Sequence, residues 1–528
     1  MAGMRRRRFL TSAAALVTAP LSGLDVIAAA RRSPAMIPRA LQEWELPCGV
    51  QVGDVTDSRA MIWSAAGREA RMRLEIAADE RFRSARVTDG PAALEDSGFT
   101  AKRDLGELTP GEPVFYRVWF EDLATGAASA RIEGRFCTAP RRPRPFTLCW
   151  SGDVVGQGWG IDPARGGLRL YETMARHAPD VFVHSGDQIY ADNPLRAEVA
   201  LEDGTTWRNV VTPAKSKVAE TLDEFRGNYA YNLLDTHARA FNSQVPMIVQ
   251  WDDHEVLNNW YPGLDLTSRA AYQEKSIARL AARARRAMFD YLPVRAHVDE
   301  PERVYRSYAL GPLAEIFVLD QRSYRGANSA NRQAAPGPET RMLGAAQIDW
   351  FKRALAGSRA TWKIIASDMP LGLVIGDGQQ DGVPRYEGWA NGAGGPLGRE
   401  HELADLLSFL RAQRLRNLVW ITADVHYAAA HRYDPAAAVF RNFDPFWELV
   451  AGPLHAGTFG PGTADPTFGC TQVFNSVPAG MPQNRPPSDG FQFFGTLSID
   501  PGTRRMTAAL WNLANEKLWS VVLDAERR

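Results

Sequence analysis

The chain has 528 residues, too many for one hydrophobic core, so two or more domains are expected. Its 61 basic and 61 acidic residues balance, which removes the electrostatic footprint of a nucleic-acid-binding protein. After the N-terminal segment no run approaches the ~20 apolar residues of a membrane-spanning helix, so no stable membrane span is expected.

Residues 1–30 read as a signal peptide: Arg5 to Arg8 form a basic start, 12–27 is moderately apolar, and Ala28-Ala29-Ala30 offers a small-residue cleavage site. Arg6-Arg7-Arg8-Phe9-Leu10 is similar to the twin-arginine export motif, with an ordinary secretory signal as the alternative. A periplasmic or secreted protein follows, and the twin-arginine machinery is an expected partner. Four cysteines fit no zinc spacing. Cys48 and Cys137 fall near the first and last strands of the N-terminal module. They would pair in an oxidising compartment, with free buried thiols as the alternative.

Residues 46–140 alternate as short strands at 60–63, 70–76, 114–120 and 130–136, separated by turn residues. This predicts a β-sandwich of fibronectin or immunoglobulin type. It carries no cluster of acids or histidines, so its role is structural. Pro140 to Pro145 is a linker, and 146–525 then alternates strands with helices. Helices are predicted at 168–177, 222–241, 270–291, 345–355 and 399–411. The 270–291 helix is rich in arginine, but Ile277, Leu280, Ala284, Met288 and Tyr291 line one apolar side, so its charges mark a solvated face. Polar 194–221 and glycine-rich 377–398 read as insertions near a site. Strands and helices that close on an antiparallel tail at 491–523 predict an α/β domain of two sheets covered by helices.

Five apolar runs share one design. Phe146 to Trp150 leads to Ser151-Gly152-Asp153, and Val181-Phe182-Val183 leads to Gly186-Asp187-Gln188-Ile189-Tyr190. Pro246 to Trp251 leads to Asp252-Asp253-His254-Glu255. Ala314 to Leu319 leads to Asp320-Gln321-Arg322, and Asn417 to Thr422 leads to Ala423-Asp424-Val425-His426. Ligands of open α/β sheets bind at the carboxyl ends of strands. Gathered there, so many carboxylates would repel unless they held cations. Oxygen ligands suit iron(III), calcium, manganese or magnesium, and histidine also admits zinc. Two cations sharing one carboxylate, Asp187 being the choice, form a clamp for phosphoryl transfer. His254 would protonate the leaving oxygen or face phosphate, and Arg322 offers a fork that matches phosphate oxygens. Asp192 and Glu255 are candidate supporting acids, Asp320 a candidate orienter of Arg322, and His455 a candidate loop anchor.

These four ordered motifs, with Leu319-Asp320-Gln321-Arg322 and Gly452-Pro453-Leu454-His455-Ala456-Gly457, resemble the PhoD-type alkaline phosphatase D family, within the calcineurin-like metallophosphoesterases. The resemblance covers nearly the whole chain after the signal peptide. It implies a four-layer αββα catalytic domain behind the N-terminal sandwich, and a dinuclear or multinuclear centre with iron(III) and calcium foremost. It implies that Asp153 binds the first metal, Asp187 bridges and Tyr190 binds iron. Asp253 would stand where relatives carry an asparagine, with Asp252 as a competing candidate. Asp424 and His426 would stand in a His-x-His position, and Asp368 is the nearest match to a further histidine ligand. The implied activity is hydrolysis of phosphate monoesters or diesters by a metal-bound hydroxide, in a monomer. A phospholipase D-like diesterase and an inactive surface-binding β-sandwich protein are the alternatives.

Overall fold

The computed structural model describes residues 44–526; the signal-peptide reading of 1–30 lies outside them. Two mixed sheets form the centre. The nine-stranded sheet runs in the order Lys517–Leu523, Met506–Asn512, Phe493–Ile499, Phe146–Ser151, Val181–Ser185, Met247–Gln250, Val50–Gly53, Ala60–Ala65, Thr100–Leu105. The seven-stranded sheet has Ala314–Val318, Trp362–Ala366, Leu418–Thr422 and Phe446–Val450 as a parallel core. Such strands, covered on both faces, read as continuous apolar runs rather than alternating ones. Val181–Ser185 and Trp362–Ala366 are buried throughout.

The two sheets face each other. Leu148, Trp150, Val183 and Ile248 of one pack with Ile316, Ile364, Val419 and Leu449 of the other. On the outer face of the nine-stranded sheet, Phe182 and Val249 pack with Met174, Phe225, Phe241 and Met288 from helices. On the outer face of the other, Phe317, Ile365 and Trp420 pack with Phe351, Leu355 and Leu407. The layering is therefore αββα. Phe146–Ser151, Val181–Ser185 and Met247–Gln250 of one sheet and the parallel core of the other end at one edge, which brings together turns far apart in sequence.

The helices follow their predicted positions with physical corrections at their ends. The 222–241 segment is two helices, Leu222–Asn232 and Thr236–Asn242, because Asp235 starts the second by accepting from the amides of His237 and Ala238. Ile277–Tyr291 begins at residue 277, where Ser276 caps it. Its arginines are engaged within the protein: Arg279 with Glu274, Arg283 with the Glu220 carbonyl, Arg285 with Ser323 and Arg286 with Asp290. Burying a side chain such as Leu280 or Met288 contributes about 2 kcal/mol, more than any of these exposed pairs.

The N-terminal module is a sandwich whose halves have different fates. Ala70–Ala77, Arg86–Ala93, Pro113–Asp122 and Ile132–Cys137 form a separate four-stranded sheet. Val50–Gly53, Ala60–Ala65 and Thr100–Leu105 instead continue the nine-stranded sheet, through parallel pairing of Gly53 with Met247. Cys48 and Cys137 are both free, contrary to the expected pairing. Cys48 packs beside Trp63 and Tyr291 on the helical side of the large sheet, whereas Cys137 ends a strand of the small one. No helix among the described residues is long and apolar enough to cross a membrane.

Candidate metal centre

The strand-end turns hold their acids in an uncommon backbone conformation. Asp153, Asp187, Asp424 and His426 have φ of 67°, 48°, 64° and 61°. Left-handed conformations at non-glycine residues cost energy, persist only where packing over-determines them, and cluster at functional sites. Two glycines make the turns fit. Gly186 has φ of 85°, and a Cβ there would meet the Asp252 Cβ at 2.5 Å. A Cβ on Gly452 would sit 2.3 Å from Asp153 Oδ2. Glu255 ties two turns together by accepting from the amides of Asp187, Gln188 and Asp252 at 3.2, 2.6 and 2.7 Å.

The turns converge. Three sets of potential ligand atoms lie within 4.8 Å of one another: Asp153, Asp187 and His426; Asp187, Asp253 and His254; Asp252, Asp253 and Asp424. Asp187 belongs to the first two and Asp253 to the last two, so the sets form one chain. Tyr190 joins the first, its hydroxyl 2.9 Å from His426 Nε2, and its ring lies tilted against that of His254, with centroids 4.2 Å apart. His254 Nδ1 lies 2.6 Å from Asp192 Oδ1, which leaves Nε2 as the unanchored nitrogen. The Asp192 carboxylate is thus the orienting partner of that ring.

Arg322 does not present an open fork. Its fully buried guanidinium lies 2.5 Å from Asp252, 2.7 Å from Glu387, 3.5 Å from Asp368, 3.6 Å from Asp424 and 3.9 Å from Asp253. It is a counter-ion at the centre of five carboxylates. Glu387 and the buried Arg325 were not singled out from sequence. Both lie in polar, glycine-containing loops with no apolar run to announce them. Arg399 fastens these loops by donating to the carbonyls of Tyr386, Glu387, Gly326 and Ala327. The 377–398 segment opens as a hairpin of Gly376–Gln380 and Val383–Tyr386. Its base is tied to the centre: Asn259 donates its amide to Asp253 Oδ2 and its side chain to Asp377 Oδ1.

Asp320 accepts from the amides of Arg322 and Ser323 and from Trp251 Nε1, so it shapes the turn rather than the guanidinium. His455 is a loop anchor: its amide donates to the Asp153 carbonyl at 3.0 Å and its Nε2 pairs with the Gly160 carbonyl.

One Arg322 does not neutralise the cluster. Burial, followed by the neighbouring carboxylates, pushes Asp153 and Asp187 well above the usual carboxylate range. Burial and Asp252 do the same to Asp368 and Asp424. Asp253 runs the other way: burial raises it, but Arg322 and His254 outweigh that and hold it low. His254 is pushed up to about 9, because Asp192 and Asp253 overcome the effect of burial. Burial pulls His426 down to about 4, which leaves it a neutral imidazole suited to ligation. Both carboxylate oxygens of Asp153 and of Asp368, and Oδ2 of Asp252, are buried without a hydrogen-bond partner. Buried carboxylates in that state are costly unless neutralised or coordinated. The donor set, carboxylate oxygens with one neutral imidazole and a phenol, fits hard or borderline cations.

Comparison with known proteins places this geometry. Residues 148–510 match the family model of PhoD-like phosphatase, and 30–140 match that of the PhoD-like phosphatase N-terminal domain. Alkaline phosphatase D of Bacillus subtilis (strain 168) is 24% identical over 399 residues, which cover 72% of this chain. The match spans 64% of the length of that curated relative. A solved structure of PhoD superposes with a TM-score of 0.66 at 20% identity, covering 92% of this chain and 90% of the other. The purple acid phosphatase PPD1 from seeds of yellow lupin (Lupinus luteus) superposes with a TM-score of 0.56 at 13% identity, covering 90% and 74%. These likenesses show the shared two-sheet fold. With the family model matching more than half of its length, the chain belongs to the PhoD-like phosphatase family.

Proposed function

We propose that this chain is an exported, metal-dependent phosphoesterase that hydrolyses small phosphate monoesters or diesters. The observation that carries the reading is the set of buried carboxylate oxygens without hydrogen-bond partners at the strand ends. Asp153, Asp187, Tyr190 and His426 would hold one cation, and Asp187, Asp253 and Asp424 a second, with Asp187 shared. Asp253 is the better ligand of the adjacent pair, because it belongs to two of the three ligand groups while Oδ1 of Asp252 is engaged by Arg322. The bound cations would polarise a phosphoryl oxygen and make hydroxide available near neutral pH. Iron(III) and calcium lead the candidates, with zinc, manganese and magnesium next.

The chain's own residues would do the rest. His254 carries a proton that it can give to the leaving oxygen from Nε2, while Asp192 holds Nδ1 and so fixes ring and tautomer. Arg322 keeps Asp252, Asp253 and Asp424 in register as their common counter-ion. Its engagement with five carboxylates favours this positioning role over direct contact with phosphate. The fold is that of a family of phosphatases, and 24% identity to alkaline phosphatase D supports the same chemistry. The Arg6-Arg7-Arg8-Phe9-Leu10 motif supports twin-arginine export to the periplasm or beyond. Asp187→Ala and His254→Ala, assayed on a chromogenic phosphate ester with calcium and iron(III) present, should each lose at least ~10²-fold in kcat. Near wild-type rates in both variants would end the proposal.

A further inference from the structure

A cavity of about 250 Å³ lies behind the strand end that carries Asp153. Its polar lining is Arg165, Arg169, Ser488, Gln492 and His455, and no carboxylate lines it. That is unusual for a chain whose acidic and basic residues are equal in number. Arg169 is exposed and forms no ion pair among the described residues. The Arg165 guanidinium rests 5.6 Å over the Trp207 ring. It donates to Thr205 Oγ1 at 2.8 Å and is only loosely paired with Asp162, at 3.6 Å. Gln492 is 2% exposed, and its Nε2 is buried without a hydrogen-bond partner. An orphaned buried donor in a cavity that two arginines also line marks a place where an acceptor is missing.

We propose that this cavity is an oxyanion site, separate from the metal centre, that binds phosphate through Arg165, Arg169 and Gln492. A planar guanidinium matches the edge of a tetrahedral oxyanion, and an amide nitrogen supplies a further donor. A water in the liquid takes about 30 Å³, so the volume holds a phosphate with part of its hydration shell. Leu170, Leu454, Pro487 and Leu513 join Trp207 in the apolar part of the wall. The floor is also the support of the metal centre: the amides of Leu454 and His455 donate to the Gly152 and Asp153 carbonyls at 2.6 and 3.0 Å. A bound oxyanion would thus rest on the segment that sets the Asp153 turn, which gives phosphate a second route of contact with the enzyme besides the reacting centre.

The test is equilibrium dialysis of inorganic phosphate against the full metal-loaded chain. Wild type should bind two phosphates per chain. Arg169→Glu and the pair Arg165→Ala with Arg169→Ala should bind one, whereas Arg169→Lys should keep two. None of these residues belongs to the proposed reaction machinery, so initial rates at low phosphate should stay within about twofold of wild type. Asp187→Ala should show the opposite pattern, losing the metal-centre phosphate and keeping the one held by Arg169. The readout is stoichiometry, so it stands even if the phosphoesterase reading fails. No phosphate bound by Asp187→Ala, or an undiminished count in Arg169→Glu, would overturn the proposal.

Discussion

Two groups of acids in this molecule are made of the same residue type and behave in opposite ways. Where the N-terminal module meets the catalytic sheets, Asp54 accepts from Tyr308 at 2.6 Å and from the Arg295 amide at 2.5 Å, with the Arg306 guanidinium 3.5 Å away. Nearby Asp104 is paired with Arg295 and Arg59, which hold it below the usual carboxylate range against the effect of burial. Each carboxylate there has its donors. At the strand ends, Asp153 and Asp368 have none for either oxygen, and one guanidinium serves five acids. Acids that are partnered hold the fold together. Acids buried without a hydrogen-bond donor are the ones that the proposed cations would neutralise, and that contrast locates the centre more sharply than the number of acids does.

Removing cations should affect the strand-end acids most strongly. Asp153, Asp187, Asp368 and Asp424 have raised values in the folded chain, so each favours its neutral form there. The sign follows: their contribution to stability is complete below the unfolded value near 4 and is lost as pH rises through the folded values. Chelator-treated protein should therefore melt lower at pH 8 than at pH 5, by about 10 °C, and reloading with calcium and iron(III) should remove most of the difference. Calorimetry at the two pH values reads this out. Equal melting temperatures in chelator would remove the distinction between the two acid groups.

A substitution in the paired group sharpens the contrast. Asp54→Ala leaves the Tyr308 hydroxyl and two arginines short of an acceptor and should cost on the order of 3 kcal/mol, read by urea unfolding. Metal content per folded molecule should not change. A smaller effect is expected from Asp192→Asn, at roughly tenfold in kcat. The Asp192 charge raises His254, so its loss lowers that value, and the alkaline limb of the pH–rate profile should move to lower pH. An unmoved limb would separate His254 from proton transfer.

Much of this centre was legible in the sequence because its parts announce themselves locally. An apolar run that stops at Gly186-Asp187 or at Thr422-Ala423-Asp424 shows a buried strand and what it presents at its end. Glu387 and Arg325 gave no such signal, since they reach Arg322 from loops whose path depends on Arg399 and on six separate carbonyl and amide acceptors. The pairing of Gly53 with Met247 was hidden for a related reason: a parallel partner nearly two hundred residues away leaves no trace in local alternation. Cys48 and Cys137 misled because proximity to the ends of one module says nothing about which sheet each residue joins. The role of Arg322 changed as well. Sequence supplies a fork, but only the folded chain shows how many carboxylates already occupy it.

Elemental analysis of the purified native protein, beside Asp187→Ala, tests the central claim most directly. At least two cations per wild-type chain are expected, with the count and the phosphoesterase rate falling together in the variant. A metal-free wild-type protein that still hydrolyses phosphate esters would contradict the account.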